Sequence, residues 1–244
     1  MSSGFELSET PWQPLARFGL THPFFNLSKT TIVDTWIILV LMIPLLLLAR
    51  WFLKKRGSII YYLTIAFMNS FVGLCKQSIG EVSFKHLTFV TTLFTFIFSA
   101  NLFALIPGIE EPTKNINTTL ALGITAFLYI QYYAIKTAGL WGYIKEYLSP
   151  FFLMLPLNIV GKLATVVSLS FRLFGNIFGG YVISAIYLGV IKGSIIAESV
   201  GMLSGIDLLL KVFFGLFEGF LQAFVFSMLT LTYLSIALSD EGGH

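Results

Sequence analysis

The sequence predicts an all-α membrane protein, and three observations support this fold class. Of the 244 residues, 56% are hydrophobic and only 11% are charged, whereas ordinary globular domains carry about a quarter charged residues. The mean hydropathy is +0.85. The apolar runs are long and unbroken, which is the pattern of membrane-spanning helices and differs from the short alternating segments of a β-barrel.

Composition also excludes several functional classes. The net charge is only +3 and no basic run exceeds residues 54–56, so the sequence does not indicate a nucleic-acid partner. The single cysteine, Cys75, excludes an internal disulfide and a thiolate metal cluster, and the three histidines are far apart in the sequence. We therefore expect neither a metal site nor a cofactor.

The chain divides into a short polar segment and one membrane domain. Residues 1–30 are mixed and polar and form a predicted extramembrane segment, whereas residues 31–244 form the membrane domain. Residues 59–75 are apolar but interrupted between positions 69 and 73, which favours an amphipathic helix on the membrane surface. About five spanning helices are predicted, at residues 32–52, 87–106, 118–135, 151–190 and 195–238.

The last two predicted spans are unusually long. Each has roughly 40 residues and would measure about 60 Å as a helix, twice the hydrocarbon thickness of a bilayer. Each therefore either contains a hidden turn or is strongly tilted. Pro156 interrupts the first only near its start, and residues 201–205 soften the second. This pattern favours two long tilted helices that form a hairpin over about residues 151–238, with its turn around Lys192 and Gly193.

Charge distribution predicts the orientation in the membrane. Positive residues collect on the cytoplasmic side, so residues 54–56 are placed inside and the N-terminus outside. With five spans, the acidic loop at Glu110 and Glu111 lies outside, and the short amphipathic connection at residues 139–149 and the C-terminus lie inside. If residues 59–75 span the membrane instead, the sides of the later loops reverse.

Arg172 is the most unusual residue of the sequence. It lies near the middle of the first long apolar stretch, with ten or more apolar residues on each side. Arginine stays charged in proteins, and placing it at membrane depth costs at least about 2.5–3.5 kcal/mol. The simpler interpretation is a structural ion pair with Glu218 or Asp207. The alternative is a functional cation on an ion path.

The neighbours of Arg172 form a polar stripe along an otherwise apolar helix. They recur every three or four residues and so share one helical face: Thr165, Ser168, Arg172 and Asn176. Gly175 and Gly179 lie beside the stripe at the spacing that lets another helix approach closely. Hydroxyl and amide groups of this kind often only hydrogen-bond one helix to another, but a permanent cation among them indicates an ion path.

The second long stretch repeats this arrangement. Its predicted polar face contains Asp207, Lys211, Glu218 and Gln222. Gly215 and Gly219 are again four residues apart and predict a second site of close helix approach. Asp207 and Lys211 can pair with each other, so part of this stripe is explained by structure alone. Gln222 carries donor and acceptor groups that can orient Arg172 across the hairpin.

Two motifs resemble a known family. Residues 168–176 read Ser-Leu-Ser-Phe-Arg-Leu-Phe-Gly-Asn, and residues 221–226 read Leu-Gln-Ala-Phe-Val-Phe. Further matching positions are residues 101–108, 115–122 and 231–235, together with Asp34 in the first span. On these residues the chain resembles subunit a of F-type ATP synthases over most of its length beyond residue 30.

The resemblance implies a function and a set of partners. It implies a non-catalytic stator subunit beside a rotating ring of c subunits, with subunit b of the peripheral stalk, other synthase subunits and lipid as further partners. Two offset half-channels would carry protons or sodium ions to and from the carboxylates of the ring. Arg172 matches the stator arginine, Gln222 its partner, Asn176 an outer half-channel residue and Ser168 an inner hydroxyl. A bacterial plasma membrane is the favoured location, and an organelle inner membrane the alternative.

The sequence departs from the family pattern at three positions. Acids or a histidine often occur where this chain has Tyr181, Gly215 and Asn158. Glu218 is therefore our candidate for the outer relay group, with Asp207 as the next candidate. The rival function is a secondary transporter with an intramembrane arginine, which would predict inverted repeats and broken helices. Neither feature is evident in the sequence.

Overall fold

The structure is a computed structural model that describes residues 11–12, 27–54, 57–80, 82–103, 105, 112–148, 151–192, 199, 201 and 204–239. Its helices are α1 (Lys29–Lys54), α2 (Ile59–Ile79), α3 (Phe84–Phe103), α4 (Ile116–Leu148), α5 (Leu155–Ile191), α6 (Ile206–Val212) and α7 (Gly219–Ser239). A π-helical segment, Phe213–Glu218, joins α6 to α7, and 3-10 turns at Pro112–Lys114 and Phe152–Met154 precede α4 and α5. Pro11–Trp12 (β1) pairs antiparallel with Leu27–Ser28 (β2).

The all-α membrane fold is confirmed. Within the described residues, six helical segments are long and apolar enough to cross a membrane: Ile32–Lys54, Ile59–Ile79, Phe84–Phe103, Ile116–Lys145, Phe152–Ile191 and Leu208–Ser239. By length and hydropathy, α2 is therefore a sixth candidate span beside the five predicted ones. The polar segment at residues 1–30, the acidic pair Glu110 and Glu111, and Gly193 lie mostly or wholly outside the described residues, so the predictions for them stay predictions.

The core of the bundle is built around α3 and α7. Close contacts occur between Gly219 and Asn101, and between Gly215 and Leu105. Across these contacts the residue numbers rise along α3 while they fall along the partner helix, so the two helices run antiparallel. Phe220 continues the contact with its ring edge against Phe94 and Phe98. The largest fully buried side chains of the cluster come from α3, α5 and α7: Val90, Ile97, Leu173 and Leu231.

Helix α2 packs against only part of this core. Ser235, near the end of α7, donates a hydrogen bond to the carbonyl of Ser78 at the end of α2. Phe71 meets Phe94 in the middle of α3, with 5.2 Å between ring centroids. At the other end of α2, Ile59 is 78% exposed and Leu63 is 63% exposed. The contacts of α2 with the core extend only from the start of α3 to its middle. They do not decide whether α2 crosses the membrane, so its predicted placement on the membrane surface stays a prediction.

The two long helices differ from one another. Helix α5 is continuous over its 37 residues and has proline in its first turn, a position that proline tolerates because the N–H it lacks would be unpaired there. The second helix was predicted as one stretch from residue 195, but Gly205 interrupts it with a φ of 68°, and α6 begins at Ile206. Tyr187 donates a hydrogen bond of 3.2 Å to the carbonyl of Gly201 and so ties Gly201 to α5.

Helix α4 contains one sharp change of direction. Gly139 has φ 68° and ψ 164°, which divides α4 into a long first part and a short tail, Leu140–Leu148. A positive φ of this size strains residues with a side chain, so glycine is required here. The predicted short amphipathic connection at residues 139–149 coincides with this tail.

Candidate functional site

Arg172 lies near the middle of α5, and its side chain is exposed. The neighbouring face of α5 is buried at Leu169, Leu173 and Ile177. Helix α5 therefore turns its apolar face towards the bundle and Arg172 away from it. No carboxylate among the described side chains pairs with Arg172. Glu218, one of the two predicted ion-pair partners, instead accepts a long hydrogen bond of 3.5 Å from Gln222 Nε2.

The polar stripe follows Arg172 along the outside of the bundle. Ser168 is exposed, and Thr165 and Asn176 are half-buried. Thr165 Oγ1 donates 3.2 Å to the carbonyl of Gly161, one turn earlier in its own helix. The Nδ2 atom of Asn176 is buried without a hydrogen-bond partner among the described residues. The stripe thus leaves several polar groups facing outwards or incompletely paired.

The two predicted glycine pairs have different surroundings. A Cβ atom placed at Gly175 or Gly179 would meet no neighbouring heavy atom within 4 Å. A Cβ atom at Gly219 would lie 2.6 Å from Asn101 Cβ, and one at Gly215 would lie 2.6 Å from Leu105 Cδ2. The close approach at the second pair is therefore made to α3. At Gly175 and Gly179 no described residue makes a close approach, so the approach of a helix there stays a prediction.

The π-helical segment changes the predicted polar face of the second long helix. Its hydrogen bonds run from i to i+5, so residues seven apart across it no longer superimpose as they do in an α-helix. Glu218 and Gln222 share a face and are hydrogen-bonded. Lys211 precedes the segment and does not share that face by α-helical spacing, which corrects the prediction. The side chain of Asp207 is outside the described set.

Asn101 is a polar residue of the site to which the sequence alone assigned no role. It is 1% exposed in α3, and neither its amide oxygen nor its amide nitrogen has a hydrogen-bond partner among the described residues. It lies directly against Gly219, one residue beyond Glu218. A buried amide with both ends unpaired is costly unless water or a transient partner satisfies it. An isolated asparagine within an apolar run was the available signal.

The three positions that depart from the family pattern have structural contacts. Tyr181 stacks under Lys114, whose Nζ lies 3.8 Å from the ring centroid. Asn158 Nδ2 donates 2.9 Å to the carbonyl of Tyr147. Gly215 contacts Leu105, as described above. At these positions the chain therefore uses an aromatic ring, an amide and a close helix contact where relatives often carry an acid or a histidine.

A cavity of about 120 Å³ lies between α4, α5 and α7. It is near the start of α5 and the end of α7, on the same end of the bundle as the tail of α4. Its walls are mainly apolar, with polar groups from Gln131, Lys162, Thr165 and Tyr233. Thr165 also belongs to the stripe that leads to Arg172, so the cavity and the stripe meet. Over the described part of the chain, no cluster of His, Cys, Asp and Glu could hold a metal ion.

Together these features define a multi-spanning membrane protein with a permanent cation exposed halfway along a long helix and polar groups leading to it from both ends. The ATP synthase A chain family matches residues 32–235. ATP synthase subunit a of Moorella thermoacetica is 36% identical over 84% of this chain and 89% of its own length. ATP synthase subunit a 1 of Prosthecochloris aestuarii is 34% identical, over 86% and 90% respectively.

The chain therefore belongs to the ATP synthase A chain family. ATP synthase subunit a of Nitrosospira multiformis is also similar, with 39% identity over 68% of this chain and 63% of its own length. Family membership makes the chain a non-catalytic, multi-pass membrane subunit of an ATP synthase of the bacterial type.

Proposed function

We propose that this chain is the ion-translocating stator subunit of a rotary F-type ATP synthase. It provides two offset half-channels through which protons or sodium ions reach and leave the carboxylates of a c-subunit ring. Subunit b and the other synthase subunits hold it in place. The observation that carries this proposal is the exposure of Arg172 on the outside of the bundle, without a carboxylate partner among the described side chains.

A guanidinium at membrane depth that has no carboxylate partner among the described side chains would be stabilised by an anion from another subunit. Two opposite unit charges 4 Å apart attract each other by about 4 kcal/mol at an effective dielectric constant of 20. A carboxylate on a passing ring subunit would supply this partner, and Arg172 would keep that carboxylate ionised while they are close. The same fixed charge repels a cation that attempts to pass directly between the half-channels. Arg172 thereby prevents a short circuit.

The outer half-channel is proposed to run beside Asn176, Gln222 and Glu218. Glu218 and Gln222 are half-buried and hydrogen-bonded to one another. Asn101 and Asn176 carry buried amide groups that would be satisfied by water in the path. In this arrangement Glu218 is the titratable relay, and Asp207, nearer the outer end, is the second candidate. The simpler alternative is that Glu218 only positions Gln222.

The inner half-channel is proposed to begin at the cavity beside Lys162 and to continue along Thr165 and Ser168 to Arg172. The cavity already reaches Thr165, and Ser168 is exposed one turn further along. Hydroxyl groups at this spacing can hydrogen-bond to a chain of water molecules that runs along the helix. The two paths approach Arg172 from opposite ends of α5, as an offset pair requires.

The secondary-transporter alternative has less support. Transporters of that kind bind their substrate where discontinuous helices leave backbone groups free near the midplane. Helix α5 is continuous through Arg172, with no interruption from Leu155 to Ile191. The π-helical segment in the second long helix lies instead against α3.

The test is Arg172→Ala in the assembled synthase, measured as ATP-driven ion pumping in inverted vesicles. Pumping should fall to background, because no other described residue places a permanent charge at that face. Arg172→Lys should also fail, since an ammonium lacks the planar fork of the guanidinium and can lose its proton. Arg50→Ala, which removes an exposed arginine near the end of α1, is the control and should pump normally. Pumping by Arg172→Ala at the wild-type rate would contradict the proposal.

A further inference from the structure

We propose that the tail of α4, Leu140–Leu148, together with Phe151–Leu153, is an anchor that docks into the boundary between lipid headgroups and acyl chains. We call these residues the interfacial anchor. The partner is a lipid surface, bound through aromatic and aliphatic side chains with lysines at the edge. The anchor also sets the depth of α5 in the membrane.

Helix length places the anchor at the membrane boundary. The first part of α4 begins at Ile116 and reaches Gly139, a rise of about 35 Å at 1.5 Å per residue. This already exceeds the hydrocarbon thickness of about 30 Å. Gly139 then turns the chain away from the direction of α4, with φ 68° and ψ 164°. The residues that follow therefore start where the acyl chains end.

One face of the anchor is fixed to the bundle by polar contacts. Tyr143 donates 2.6 Å to Gln131 Oε1 in the first part of α4, and its hydroxyl lies 2.8 Å from that of Tyr147. Lys162 Nζ from α5 lies 4.2 Å from the ring centroid of Tyr147. Asn158, also from α5, donates 2.9 Å to the backbone carbonyl of Tyr147. These contacts hold the tail of α4 against the start of α5.

The rest of the anchor surface is apolar and exposed. Trp141 is 83% exposed and Leu140 is 67% exposed, and Ile144, one turn on, lies on the same face. Across the short connection, Phe152 and Leu153 are 72% and 82% exposed. A short helix and the adjoining turn that together expose tryptophan, phenylalanine and leucine are typical of a segment that lies in the membrane interface.

Two further features favour lipid over another protein as the partner. The exposed apolar surface of α4 continues above the kink at Leu128 and Tyr132, both 60% exposed, so the anchor extends a surface that already faces the acyl chains. Lys136 and Lys145 are exposed beside it. Lysines at this level attract anionic headgroups, and their aliphatic stems can remain among the acyl chains.

The anchor has a consequence for Arg172. Helix α5 has 37 residues and is about 55 Å long, so it must tilt to fit a hydrocarbon layer of about 30 Å. Arg172 is near its middle. Holding the start of α5 at the boundary therefore keeps Arg172 near mid-depth. Whether the anchor docks into the membrane does not depend on the proposed function. Only the consequence of docking for ion pumping through Arg172 rests on the proposed function.

Docking can be tested by measuring depth with spin labels. Trp141→Cys and Leu153→Cys would be labelled in an otherwise cysteine-free synthase, in nanodiscs of phosphatidylethanolamine and phosphatidylglycerol. Relaxation by oxygen and by a water-soluble nickel chelate reports the depth of each label. Both labels should lie within about 5–10 Å of the headgroup boundary, and a label at Leu128→Cys should lie much deeper. Free access of the chelate would show that the anchor faces water, and protection from both reagents would show that a protein covers it. Either result overturns the proposal.

The effect on α5 needs a second measurement. Trp141→Ser combined with Phe152→Ser should lower ATP-driven pumping several-fold and shift a label at Leu163→Cys, near the start of α5, to a different depth. Trp141→Phe combined with Phe152→Tyr should restore both. Reduced pumping at an unchanged label depth would refute the role in positioning α5. Because the depth measurements do not require ion flux, they decide the docking even if Arg172→Ala pumps normally.

Discussion

The two glycine pairs beside the candidate site have the same spacing and opposite surroundings. Gly175 and Gly179 on α5 face open space, whereas Gly215 and Gly219 are pressed against α3. The sequence predicts the same role for both pairs, which is to let another helix approach closely. The structure shows that one pair is already used inside the chain. The other pair, which begins one turn after the exposed Arg172, has no neighbour within 4 Å among the described residues, and a partner helix there stays a prediction.

The largest effect should follow from adding a side chain to the occupied pair. A Cβ atom at Gly219 would lie 2.6 Å from Asn101 Cβ, which is bonded directly to the backbone of α3 and cannot swing aside. Overpacking of this kind typically costs about 1–3 kcal/mol. We expect Gly219→Ala to lower the amount of assembled chain in membranes and its thermal stability. Gly161→Ala in α5, with no neighbour within 4 Å, is the matched control. Equal stability of the two variants would contradict the contact with α3.

A large effect on ion flux, without loss of assembly, is expected from Glu218→Gln. The amide can still accept a hydrogen bond from Gln222 but cannot carry a proton. Passive ion flux through the membrane sector should slow by about tenfold or more, as is typical when a group that transfers protons is removed. ATP hydrolysis should continue. Glu218→Asp keeps the carboxyl group and should retain more flux. Normal flux by the glutamine variant over a broad pH range would show that Glu218 only positions Gln222.

A smaller effect is expected at the open pair. The methyl group of Gly175→Ala would meet no heavy atom of the described residues within 4 Å, and replacing glycine by alanine within a helix tends to stabilise it by up to about 1 kcal/mol. Thermal stability should therefore be unchanged or slightly higher. If a ring helix passes this surface, the added methyl group should slow ATP-driven pumping by a few-fold relative to Gly161→Ala. A loss of stability would instead show that another part of this chain covers Gly175.

The cysteine substitutions that test the topology should leave activity unchanged, so the test depends on labelling alone. Single cysteines at Glu110 and His244, in a Cys75→Ser background, would be treated with a membrane-impermeant reagent from either side. Five spans with α2 on the surface place these two sites on opposite sides of the membrane. Labelling of Glu110 from the inside and of His244 from the outside would mean that α2 crosses the bilayer and that α5 runs in the reverse direction. Reaction of both sites from the same side would mean that the number of spans after Glu110 is not three.

The long helices show what the sequence could and could not predict about the fold. The continuity of α5 follows from its apolar run, because its proline lies in the first turn. The start of the second helix is only roughly indicated, because residues 201–205 soften the run without singling out one residue. The start depends on the positive φ of Gly205. The π-helical segment has no signature in Phe213–Glu218, so the relation between Lys211 and Glu218 was predicted with α-helical geometry.

The candidate site shows the same division. Arg172 and its polar neighbours were identified because a charge within an apolar helix is costly wherever it points. Its direction was not predictable, since an ion pair with Glu218 was equally compatible with the spacing. Asn101 begins one of the matching stretches, residues 101–108, but one amide in an apolar run gives no indication of its neighbour. Only the contact with Gly219 places it beside Glu218.

The length of α5 also fixes a distance in the plane of the membrane. A helix of 37 residues, about 55 Å long, that crosses a layer of about 30 Å moves sideways by about 45 Å. This is roughly four helix diameters of 10–12 Å each. The points where α5 meets the two membrane surfaces are therefore far apart in projection. In the proposed function, this one continuous helix would supply the lateral separation between the two half-channels.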